Sequence, residues 1–255
     1  MSGTRRAAAP TRGPARAPLR RFEHVAGYVL HAYPYSETSV IVETFTREHG
    51  RVPLVAKGAK RPHSALRGVL AQFQPLQFSW SGRGDLRNLT HVEWQGGAIV
   101  LAGNALFCGF YLNELLLKLL ARDDAHERLY DCYQEALIAL AGAARMAHVL
   151  RGFEKSLLGE IGYALNLAVD SGSGEPLDPA ARYTYDPEQG PRRSDGEAPG
   201  AVEVSGLALQ ALARDDYSDP ACAQQAKQLM RQLISHHLNG KPLATRQIFS
   251  ALLQV

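Results

Sequence analysis

The stretch that decides the fold is "SVIVETFTREHGRVPLVAKGAKRP", Ser39 to Pro62. SVIVETF (Ser39–Phe45) is rich in β-branched and aromatic residues and partly alternates, as a half-buried strand does. REHGR (Arg47–Arg51) is a turn signal, and VPLVAK (Val52–Lys57) returns as a second strand. From Arg51 to Gly68 the chain carries five permanent cations, Arg51, Lys57, Lys60, Arg61 and Arg67, and no Asp or Glu. Charge left uncompensated directly after an apolar strand attracts polyanions.

Working outward, three more segments read as strands: YVLHAY (Tyr28–Tyr33), LQFSW (Leu76–Trp80) and LRNLTHVEW (Leu86–Trp94), with turn signals at Pro34 and at SGRGD (Ser81–Asp85). Five short strands in about 70 residues suit a closed barrel, because closure removes exposed edges. The pattern predicts a five-stranded OB-fold over residues 23–98, with an SH3-like barrel as the alternative. After residue 100 the period lengthens. NALFCGFYLNELLLKLLA begins at Asn104, a good N-cap, and AHERLYDCYQEALIALAG, AHVLRGFEKSLLGEIGY and CAQQAKQLMRQLISHHLNG follow with apolar residues at helical spacing. A last helix is expected from about Thr245 to Leu253. The fold class is therefore α+β: a barrel, then an α-helical domain over 99–255. Within that domain, residues 166–204 are dominated by Gly, Pro, Asp and Ser and read as a long irregular excursion, with one hairpin around RYTYDPEQG (Arg182–Gly190).

The net charge of the 255-residue chain is only +3, but it is unevenly spread. Residues 1–95 carry 14 Lys/Arg against 6 Asp/Glu, and the remainder 14 against 19. A basic first half and a mildly acidic second half imply two units with different partners. Residues 1–22 hold six arginines and no acid, which predicts a disordered basic arm rather than a signal peptide. Cys108, Cys132 and Cys222 form no CxxC pair and read as buried free thiols in a cytoplasmic protein. The 20 uncharged residues from Trp94 to Asn113 contain four glycines and three amide side chains, too polar for a membrane span, and read as a loop entering a core helix.

No GxSxG, P-loop, GxGxxG or HExxH motif occurs, and no metal site, cofactor or catalytic residue is expected. His236 and His237 adjoin, but neighbours on a helix point apart. Asp123–Asp124 and Asp215–Asp216 read as acids favouring helix N-termini. The DNA-binding candidates are Arg51, Lys57, Lys60, Arg61 and Arg67, joined by Arg83 and Arg87 on the next hairpin. Gly58 permits close backbone approach to a ligand. Tyr33, Tyr35, Phe73, Phe78 and Trp80 are candidate stacking faces for bases. For a protein partner, an apolar groove edged by cations is needed, with Arg122, Arg128 and Arg151 as candidates. The competing reading is a non-catalytic interaction adaptor without direct DNA binding, whose basic loop serves only solubility.

Several segments, in this order, resemble the RecO family of recombination mediators: Ser36–Glu37–Thr38, FTREHGR (Phe45–Arg51), AKGAKRP (Ala56–Pro62) with Ser64, GVLAQFQPL (Gly68–Leu76), YLNELLLKLL (Tyr111–Leu120), RGFEKSLLGEIGY (Arg151–Tyr163) and GKPLATRQIF (Gly240–Phe249). The resemblance implies an N-terminal OB-fold and a C-terminal helical domain. It implies binding of single- and double-stranded DNA, annealing of complementary strands, and engagement of RecR and of the C-terminal tail of single-stranded-DNA-binding protein, so that RecA is loaded in the cytoplasm at the nucleoid. Many members carry a four-cysteine zinc site after GEIGY. This chain has no cysteine from Leu165 to Val204, so no zinc is expected there and the loop's order must come from packing or remain poor.

Overall fold

The computed structural model describes residues 20–142, 144–194 and 202–252, with side chains as far as Ile248. Strands β1 (Arg20–Pro34), β2 (Val40–Thr46), β3 (Gly50–Ala56), β4 (Leu76–Gly82) and β5 (Arg87–Trp94) close into a barrel in the order β1-β2-β3-β5-β4. The expected five-stranded barrel is present. The long β1 makes closure possible: its second half pairs with β2 and its first half with β4. Register shifts between Phe22 and Val25 and between Val29 and His31 bend it around the axis. The ring is completed by a short parallel contact, Leu54 opposite Arg87 and Val55 opposite Asn88. The expected arm over 1–22 lies largely outside the described residues, but Arg20, Arg21 and Phe22 already form the start of β1.

Alternation along β2 and β3 sorts their side chains. Val42 faces Leu54 across the pair and both point into the barrel, with Phe78 and Trp80 from β4. Phe45 points outward, where with Tyr28 and Leu30 of β1 it is buried under the helical region. The four-residue helix α1 (Leu66–Val69) lies between β3 and β4, its Leu66 and Val69 packed on the barrel core.

Helices α2 (Asn104–Leu119), α3 (Glu127–Ala141) and α4 (Met146–Glu160) follow the expected positions. Tyr28 and Phe45 meet Tyr130 and Tyr133 of α3 with ring centroids 5.2–6.0 Å apart. Burying an aromatic side chain of this size stabilises by about 1.5–3 kcal/mol, so the outer face of the barrel is part of the main core. Asn113 ties the same seam: its amide donates to the Leu30 carbonyl at 3.0 Å and its side-chain oxygen accepts from the Tyr133 hydroxyl at 2.5 Å. The uncharged stretch from Trp94 to Asn113 is the end of β5, a loop and the first turns of α2.

The described residues within 166–204 are more regular than the composition implied. Strands β6 (Arg182–Asp186), β7 (Gly190–Arg193) and β8 (Glu203–Ser205) form a three-stranded sheet in the order β7-β6-β8. The expected hairpin is its β6–β7 pair. Tyr183 and Tyr185 point to one face and pack with Val204 and Leu177 against α5 (Gly206–Arg214) and α6 (Pro220–His237). The short alternation Tyr183-Thr184-Tyr185 supplies this apolar face, and flanking Gly and Pro residues mask it. Helix α5 also escaped the sequence reading. It begins at Ser205, whose hydroxyl accepts from the Ala208 amide at 3.2 Å.

Several caps differ from expectation. The N-cap of α2 is Gly103 rather than Asn104. Neither Asp pair caps a helix start: Asp123 and Asp215 adopt left-handed φ of 59° and 56°, and Asp215 ends α5. Asp tolerates that region better than most residues. Asp219 is the residue that caps α6. The last helix, α7 (Ala244–Leu252), is anchored from outside itself. The Glu114 carboxylate of α2 accepts from the Ala244 amide at 2.8 Å, the Thr245 amide at 2.9 Å and the Thr245 hydroxyl at 2.7 Å.

Candidate nucleic-acid interface

Past Ala56 the chain leaves β3 through a sequence of tight turns. Gly58 has φ of +72°, and the Arg61 amide donates to the Gly58 carbonyl at 3.1 Å. Ala59 is buried against the barrel interior and pins the turn from below. The Lys60 amide donates to the Thr38 carbonyl at 2.9 Å, and its ammonium to the Ser36 carbonyl at 2.7 Å. The basic turn is therefore braced on the β1–β2 loop, which contains the Ser36–Glu37–Thr38 element. Lys57, Lys60, Arg61 and Arg67 are exposed. None of the four is in an ion pair with a described carboxylate.

The remaining candidates are placed differently. Arg83 is exposed on the β4–β5 turn, four residues before Arg87, the β5 position that pairs with Leu54 of β3. Arg87 pairs with Asp123 at 2.6 Å and lies 5.9 Å from the Phe22 ring centroid. Arg51 turns inward. Its guanidinium donates to the Leu117 carbonyl and, at 3.0 Å, to the Leu120 carbonyl, at the C-terminal end of α2, and it stands 3.3 Å from Glu43. A cation at a helix C-terminus is favoured by the orphan carbonyls and the dipole. Burial lowers the affinity of Arg51 for its proton, and Glu43 works against that. Arg51 and Arg87 are thus occupied within the molecule and do not belong with the open cations. The sequence could not have separated them, because the docking of α2 on β3 is a long-range event.

The partner candidates also disperse. Arg122 pairs with Glu43 beside the barrel and keeps its side chain 44% exposed. Arg128 is exposed on α3. Arg151 is buried in α4, 2.5 Å from Glu154, whose carboxyl burial pushes up while Arg151 pulls it down. The Tyr111 hydroxyl donates to the same carboxylate at 2.6 Å, so Arg151 closes an internal network rather than an outward groove. A groove edged by cations does exist between α6 and α7, at residues the sequence reading passed over. Leu238, Pro242 and Leu243 line a cleft of about 380 Å³ bordered by Arg231, Lys241 and Arg246. In the sequence this groove shows only as the polar face of α6, and a solvated helix face looks the same.

Of the candidate stacking rings, Phe73, Phe78 and Trp80 are core residues, 6%, 0% and 1% exposed. Tyr33 and Tyr35 are 44% and 55% exposed. Among the described residues no group of three or more His, Cys, Asp or Glu is arranged to hold a metal ion, and no helix is long and apolar enough to cross a membrane.

Two family models cover nearly all of the described chain: Recombination protein O N terminal over residues 21–97 and Recombination protein O C terminal over residues 101–247. The chain belongs to the RecO family. Its relatives include proteins named DNA repair protein RecO from Nitrosospira multiformis, 52% identical over 92% of this chain and 98% of the relative, and from Ralstonia nicotianae, 52% identical over 94% and 89%. The protein of that name from Thiobacillus denitrificans is 50% identical over 92% of this chain and 94% of its own length. Membership places the chain among proteins of DNA repair and recombination, and the barrel is the OB-fold of the RecO N-terminal domain.

Proposed function

We propose that this RecO-family chain is a recombination mediator of the cytoplasm and nucleoid that binds single- and double-stranded DNA, anneals complementary strands and, with RecR, helps load RecA onto DNA coated by single-stranded-DNA-binding protein. The observation that carries the reading is the division among the barrel's cations. Arg47, Arg51 and Arg87 are paired with carboxylates, whereas Lys57, Lys60 and Arg61 on the braced turn and Arg67 in α1 stand exposed with no ion pair among the described residues. Arg83 adds a further exposed charge on the β4–β5 turn.

No covalent step is required. Two strands of like charge repel, and a surface of positive charge lowers that barrier while displacing condensed counterions. Base pairing then supplies the favourable free energy. For the partner, the cleft between α6 and α7 offers apolar walls and cationic edges that suit an acidic, apolar peptide such as the tail of single-stranded-DNA-binding protein.

Fluorescence anisotropy with labelled oligonucleotides across a salt series tests the DNA reading. Four phosphate contacts on a single strand give a slope of about −3 in log K against log salt. Lys57→Glu with Lys60→Glu and Arg61→Glu should abolish most binding and slow annealing on protein-coated DNA, with circular dichroism confirming the fold. An adaptor that does not touch DNA would show no such change. Arg231→Glu with Lys241→Glu should weaken tail-peptide binding tenfold or more and leave oligonucleotide affinity intact.

A further inference from the structure

We propose that the outer face of β1–β3, centred on Tyr33 and Tyr35, is a stacking platform for unpaired bases, so that the barrel binds single strands more tightly than phosphate charge alone provides. The inference rests on the reading of the barrel as a DNA-binding unit and deepens it. The geometry follows from the pairing register. Tyr33 lies opposite Ile41, and Ile41 opposite Val55. The neighbouring row, Val42 opposite Leu54, points into the barrel, so the Tyr33 row points out. Further along the same face the helices cover Tyr28 and Phe45, but they stop short of Tyr33, whose ring is left 44% exposed. His31 packs against it, ring centroids 4.4 Å apart, and holds its orientation. Tyr35, 55% exposed, follows on the β1–β2 loop, the segment on which Lys60 is braced through Ser36 and Thr38.

Cations stand at both borders of this strip. Lys57 follows Val55 by two residues at one end. At the other is Arg122, which shares the single Glu43 carboxylate with Arg51, so that two guanidiniums face one negative charge. A strand laid across the face therefore meets cations for its phosphates on either side of exposed rings for its bases. Every base has a π-face, so such a site takes any sequence, and a duplex, whose bases are already stacked, cannot use it.

The test uses the full chain and three labelled probes: a thymidine oligonucleotide, an abasic oligomer of equal length and charge, and a duplex. The parent should bind the thymidine oligomer about tenfold or more tightly than the abasic one. Tyr33→Ala with Tyr35→Ala should erase that difference while leaving abasic and duplex affinity and the salt slope unchanged. Tyr33→Phe with Tyr35→Phe should restore it, which separates stacking from a general loss of structure. Equal affinity of the parent for thymidine and abasic oligomers, or an undiminished difference in the alanine variant, would overturn the platform and leave the phosphate reading standing. Failure of the parent to bind any of the three removes both.

Discussion

Gly50 illustrates how much one residue of the FTREHGR segment settles. Its φ is +62°, and a Cβ placed there would stand 1.7 Å from the Asp124 carbonyl oxygen, in the connection between α2 and α3. Backbone cannot step aside as a flexible side chain can. Gly50→Ala should therefore cost about 3 kcal/mol or more, read as a lower denaturant midpoint at constant slope. At Gly58 the φ is similar, but the nearest atom is the Arg61 Nε at 3.5 Å. Gly58→Ala should cost only about 1 kcal/mol, the strain of left-handed backbone alone. Arg51 gives a sharper contrast with its neighbours. Arg51→Met uncovers the end of α2 and leaves Glu43 with Arg122 as its one described partner. About 2–3 kcal/mol of stability should be lost, with oligonucleotide affinity at low temperature lowered less than by Lys57→Met, which should leave stability unchanged.

Among elements, α7 depends on a carboxylate it does not own. Burial raises the pKa of Glu114, but hydrogen bonds from Thr245 and Ala244 and the nearby Lys118 outweigh it and hold the group below the usual carboxylate range. A depressed pKa means a contribution present above the unfolded value and lost as pH falls through the folded one. The amides of α7 should lose protection on acidification below about pH 4, before those of α3, and in Glu114→Gln they should be poorly protected throughout. Hydrogen exchange, corrected for intrinsic rates, reads this directly. Elements of this kind also explain what could be read in advance. The five strands and the long helices were legible because each repeats its own period over enough residues. Helix α5 spans nine residues, and β6–β8 expose their alternation in runs of three to five, too short against a background of Gly and Pro. The basic turn was legible as charge, but which cations it keeps was not, since Arg51 and Arg87 are claimed by residues 66 or more and 36 positions away.

At the scale of the molecule, the barrel and the helices are two units by sequence pattern but share one core. Tyr28, Leu30 and Phe45 of the barrel belong to the same apolar cluster as Leu112, Leu116, Tyr133 and Phe153. Arg47 fastens the rim, pairing with Glu127 at 2.8 Å and Asp131 at 3.0 Å. A fragment of residues 20–98 should accordingly be soluble only poorly and unfold without cooperativity, because three large apolar side chains would face water. In the whole chain, tyrosine and tryptophan fluorescence and far-ultraviolet circular dichroism should report one coincident transition.

That common core has a mechanical meaning. The outer face of the barrel proposed to take a strand and the cleft between α6 and α7 are joined through one apolar cluster among the described residues. Cargo on one side and a docked peptide on the other would keep a constant separation, as in a jig. If the proposed sites are both filled, transfer of DNA to another protein would come from one guest letting go, not from the host bending.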